Sequence, residues 1–153
     1  MKPPNPIKTA FTSSMRKCGF NKKSDCWYRQ TTDAILVTNL HKSNYGDQYY
    51  VNLAVWLKAF GESAFPKDYQ CHVRLRASMI EADKQRFWEA EVFNLDHPIN
   101  EVMRGDVITA FLESVAIPFL LNCGSVENLR RLLTEGQLRH AAIVVAARKM
   151  IEG

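Results

Sequence analysis

The chain has 153 residues, 46% of them hydrophobic, and 20 Lys and Arg against 16 Asp and Glu give it a formal charge of +4. That length and apolar fraction suit a single domain over residues 1–153 with a core of its own. The charge excess falls well short of a polybasic nucleic-acid binder and names no partner by itself.

In the opening MKPPNPIKTAF, prolines and polar residues stand where a signal peptide needs an unbroken apolar run. The longest apolar run, Ala141 to Ala147, is far shorter than the roughly twenty residues a bilayer span requires. A cytoplasmic location without a membrane span is the expectation. The first helix carries both of its end signals: Asn5 caps, Pro6 suits the first turn, and Gly19 can take the left-handed conformation beyond the last. Between them Ile7, Phe11, Met15 and Cys18 form an apolar stripe that needs covering.

After Gly19 the period becomes alternating, and strands are expected at about 25–31, 34–42, 48–58 and 70–78. Their links are too short for crossover helices, and SNYGD at 43–47 is a turn, so the sheet is expected to be antiparallel. Tyr49, Val51, Leu53, Val55 and Leu57 alternate onto a core face together with Cys71, Val73, Leu75 and Ala77. Residues 87–95 read either as a short edge strand or as an irregular return across the sheet. From Arg104 the pattern is helical, with Pro118 expected to break or kink it. Ser125 caps a short helix closed by Gly136, and Leu138 to Ile151 reads as a final helix. The fold class is α+β: an antiparallel sheet of about four or five strands, with an N-terminal helix and C-terminal helices packed on it.

Chemistry-bearing motifs are scarce. Cys18, Cys26, Cys71 and Cys123 form no CxxC pair and no zinc-finger spacing, so reduced thiols and no metal or other cofactor are expected. No GxSxG, GxxxxGK[ST] or GxGxxG occurs. Cys71 and His72 are strand neighbours and point to opposite faces, so they make no local dyad. One constellation remains, a polar sheet face expected to present Trp27, Arg29, Asn39, Tyr50, Asn52, Trp56, His72, Arg74 and Arg76. Either a C-terminal helix covers this face, or its Trp, Tyr and Arg content serves binding, as in interface hot spots.

The order GF-x-KK, W-Y-R, N-L-x-K-S, Y-Y-V-N-L-x-V-W and C-H-V-R-L-R resembles a bacterial family of uncharacterised domains, catalogued only as a domain of unknown function. Gly19, Phe20, Lys22, Lys23, Trp27, Tyr28, Arg29, Asn39, Lys42, Ser43, Tyr49, Tyr50, Asn52, Leu53, His72 and Arg74 carry the resemblance. It covers roughly Phe11 to Ala77, and the helical remainder more loosely. His41 departs from it, standing where many relatives are expected to have Gln. The resemblance implies a compact α+β domain and brings no activity. The leading expectation is a non-catalytic protein that binds another protein, in the manner of a toxin-immunity module. A nucleic-acid-binding sheet platform is the alternative, and a small-molecule enzyme ranks third.

Overall fold

The computed structural model of the chain describes residues 4–80 and 91–153. Helix α1, Pro6–Lys17, begins where Asn5 Oδ1 accepts hydrogen bonds from the amides of Ile7 and Lys8 at 3.0 and 3.2 Å. It ends in a Schellman turn: the Phe20 amide bonds the Met15 carbonyl and the Gly19 amide bonds the Arg16 carbonyl, while Gly19 adopts a φ of 81°.

A meander of six antiparallel strands in sequential order follows: β1 Asn21–Lys23, β2 Cys26–Gln30, β3 Ala34–Lys42, β4 Tyr49–Leu57, β5 Val73–Arg76 and β6 Ala142–Ile143. The four strands expected from alternation are present, the last trimmed by 3₁₀ turns at Asp68–Gln70 and Ala77–Met79. β1 and β6 are additional. β5 pairs only with residues 52–55 of β4. The start of β4 instead takes up the returning chain, with the Tyr49 amide bonded to the Phe93 carbonyl and the Leu95 amide to the Asp47 carbonyl. Of the ambiguous segment 87–95, residues 91–95 thus make a return along β4, whereas 87–90 lie outside the described residues.

Of the two readings of Pro118, a break or a kink, helix α2, Glu101–Asn122, rules out the break. A π-helical stretch, Leu112–Ala116, sits just before the proline, and the chain continues helically from Ile117 to Asn122. The wider turn accommodates a residue that lacks the amide donor. Though α2 is long and apolar enough to cross a membrane, Ile108, Phe111, Leu112, Ala116, Ile117 and Leu120 are buried in the main core.

Helix α3, Val126–Thr134, starts at the Ser125 cap, whose Oγ accepts from the Asn128 amide. The expected long helix from Leu138 to Ile151 is corrected: residues 142–143 form β6, and only Val145–Glu152 is helical, as α4. Ile143 and Val144 are β-branched and lie beside the free edge of β5. Pairing there, with the Val144 amide on the His72 carbonyl at 3.0 Å, outweighs the apolar run's helical pattern.

One face of the sheet packs beneath the helices. Its side chains Trp27, Leu36, Val51, Leu53, Val55 and Leu75 join Ile7, Phe11 and Met15 of α1, the α2 residues, Leu129 and Leu132 of α3, and Ile151 of α4 in one apolar cluster. The site is built on the opposite face.

Candidate functional site

Strand register decides which side chains share the back face. Cross-strand partners align Asn39 with Asn52 and Arg76 in one row, and Tyr28, Val37, Ala54 and Arg74 in the next. Further rows pair Ile35 with Trp56 and His41 with Tyr50. Of the nine residues expected together, Asn39, Tyr50, Asn52, Trp56, His72, Arg74 and Arg76 do share this face. Trp27 and Arg29 do not. Trp27 pairs with Thr38 and Arg29 with Leu36, which turns both towards the helices. Trp27 is buried in the main core, and Arg29 Nη1 donates to the Cys18 carbonyl at 2.6 Å, capping the negative end of α1. Alternation gives the parity within a strand; the offset between strands comes from pairing, and that offset misplaced these two.

Among the described residues no C-terminal helix covers the back face. The loop between β4 and β5 lies over one side of it, around Tyr28, Trp56 and His72. Cys26, Tyr28, Ile35, Val37, Ala54 and Cys71 make a second apolar cluster beneath that loop, with Trp56 against it; the placing of Cys71 on the core face, opposite His72, is thereby corrected, because Cys71 closes a 3₁₀ turn before β5 begins and strand parity does not reach it. Phe65 meets the Tyr28 ring edge-on at 5.4 Å, Lys67 pairs with Asp25 at 2.7 Å, and Trp56 Nε1 donates to the Gly61 carbonyl. His72 lies between Trp56 and Phe60, its ring tilted 49° and 36° to theirs with centroids 4.5 and 4.7 Å away, and its Nδ1 accepts from the Leu57 amide at 2.9 Å. Burial lowers the His72 pKa below the ordinary 6.5. Burial also pushes the Cys71 thiol up to about 12 and raises the pKa of the Tyr28 phenol; a buried thiol held protonated in this way has the character of a structural cysteine.

The other half is open. Arg74 and Arg76 are exposed, and Tyr50 and Asn52 are half-buried. The Arg76 guanidinium lies over the Tyr50 ring, 3.9 Å from its centroid, an arrangement that holds the cation in place. Asn52 Nδ2 donates to Asn39 Oδ1 at 3.0 Å, and Asn39 Nδ2 reaches Cys26 Sγ at 3.6 Å. Lys42 and Lys67 have carboxylate partners, Asp47 and Asp25. Arg74 and Arg76 have none among the described residues. His41 and Tyr69, both exposed, border this area; the parity shared by His41 and Asn39 was the signal for the first, and Tyr69, in a 3₁₀ turn, offered none.

Elsewhere, a cleft of about 540 Å³ opens between α2 and residues 135–140. Among the described residues, no three His, Cys, Asp or Glu come together as a metal site, and none of the four cysteines is disulfide-bonded.

The fold and face define an α+β protein with an open six-stranded antiparallel sheet, helices on one side and a half-covered polar surface on the other. The chain belongs to the family described as a domain of unknown function, DUF4304, which matches residues 11–122. No curated protein and no solved structure matches it.

Proposed function

We propose that the protein is a non-catalytic binding module, and that the open half of its back face receives an acidic surface of another protein. The observation carrying this reading is the pair of exposed arginines, Arg74 and Arg76, projecting from one strand without a carboxylate in ion-pair contact among the described residues while Tyr50 holds Arg76 in place. A guanidinium already ordered by stacking loses less freedom on binding, the property of an interface anchor. A toxin or effector neutralised by such contact is the particular partner in view.

The arrangement of aromatic rings favours protein over nucleic acid. Base stacking requires free ring faces, but of the rings on the sheet Arg76 occupies Tyr50, His72 and the loop occupy Trp56, Phe65 abuts Tyr28, and Trp27 faces the helices, which leaves Tyr69 in the bordering turn as a lone exposed ring and not a platform. Asp25 also stands beside Lys67, interrupting any basic track for phosphates. Capture from the native host with wild type and with Arg74→Gln/Arg76→Gln tests the proposal. A partner with an acidic surface held by wild type and lost by the variant supports it; a partner retained equally by both, or a nucleic acid, overturns it.

A further inference from the structure

We infer that the occupant of this open face is an extended acidic segment of the partner, its carboxylates seated on Arg76 and Arg74 and its peptide groups on Asn52. The inference rests on the binding function proposed above and adds the chemistry of what is bound.

Arg76 uses the face of its guanidinium on Tyr50, and its N–H edge has no hydrogen-bond partner among the described residues. That planar edge matches a carboxylate through two parallel hydrogen bonds. Arg74 lies two residues away on the same face of β5 and, among the described residues, its side chain makes only a long contact, 3.5 Å, to the Tyr69 carbonyl. The repeat between them, roughly 6.7 Å in an extended strand, is also the spacing of alternate side chains in an extended ligand.

Asn52 stands in register with Arg76. Its amide orientation follows from the chain in which Asn52 Nδ2 donates to Asn39 Oδ1 and Asn39 Nδ2 donates to Cys26 Sγ. One N–H and the Oδ1 acceptor of Asn52 are left over, the complement of a peptide group's carbonyl and amide. A cation beside a free amide therefore mirrors an acidic residue, in which an anion lies beside a peptide bond.

Calorimetric titration with three probes tests this: a synthetic peptide alternating Glu and Thr, its counterpart with Gln for Glu, and an oligothymidylate of equal charge. Wild type should bind the acidic peptide more tightly than either of the others. Arg76→Lys keeps the charge but loses the fork, and should weaken the acidic peptide about ten-fold; Asn52→Leu should weaken it several-fold, with thermal midpoints confirming that both variants fold. Lysine serving as well as arginine, oligothymidylate binding as tightly as the peptide, or no peptide binding by wild type would each overturn the inference. If the peptide fails while a captured native partner still depends on Arg76, the binding function stands and only the extended acidic segment is wrong. A captured partner indifferent to Arg76→Gln removes both.

Discussion

Arg104 is fully buried, and its guanidinium holds the return of the chain from residue 91 to 97. Nη1 donates to the carbonyls of Glu91, Val92 and Asn94, and Nη2 to that of His97. Glu101 supplies the counter-charge at 3.3 Å from Nε, a charge contact without hydrogen-bond alignment. Removing the guanidinium strands several buried carbonyls, so Arg104→Met should lower unfolding free energy by about 3 kcal/mol or more in urea denaturation. His72 acts through its proton count. Only neutral Nδ1 can accept from the Leu57 amide, and burial lowers the folded pKa, so the unfolded chain binds more protons between the folded value and the ordinary 6.5. The stability this bond contributes is complete above 6.5 and is lost as pH falls towards and through the lowered value. Thermal midpoints measured against pH should fall across that window in wild type and lose this component in His72→Gln, whose amide oxygen can accept at any pH.

Among the elements, the loop from β4 to β5 decides how much of the back face is open. Its anchors are the edge-on contact of Phe65 with Tyr28, the Lys67–Asp25 pair and the packing of Cys71. The ion pair is exposed and contributes little, which makes the ring contact the anchor to remove. Phe65→Ala should cost about 1 kcal/mol and speed amide exchange in the loop while β3 stays protected. Elements with strong local signals were legible in the sequence: α1 from its cap, stripe and glycine, the middle strands from alternation, and α3 from Ser125. Elements decided by tertiary contact were not. β6 forms because β5 has an edge to pair, and α2 passes Pro118 because its π turn makes room. On the site, five of the seven correctly grouped residues lie on β4 and β5 outright, where parity could be read from neighbouring segments, whereas Trp27 and Arg29 required the register of β2. Arg104 gave no signal, because its role depends on carbonyls that the fold gathers around it.

For the molecule as a whole, the family match ends at residue 122, but the core does not. Leu129, Leu132, Leu138 and Ile151 are at most 1% exposed and belong to the main apolar cluster. Burying such side chains stabilises by about 2 kcal/mol each, a sum comparable to the full stability of a domain. A chain ending at Asn122 should therefore show no cooperative thermal transition, whereas retention of a wild-type midpoint would place the C-terminal helices outside the folding unit. The two faces divide the labour: one binds the helices together, and the open half of the other is the proposed binding surface. Trp56 and Arg76 share that second face but sit in its covered and open halves, so they should separate stability from binding. The most direct measurement titrates the captured partner against Arg76→Ala and Trp56→Ala, with thermal midpoints alongside. Arg76→Ala should weaken binding by about 2 kcal/mol with the midpoint unchanged, and Trp56→Ala should lower stability by about 2 kcal/mol through loss of its packing with His72 and the loop. Unchanged affinity in a folded Arg76→Ala protein would contradict the binding role of the open face.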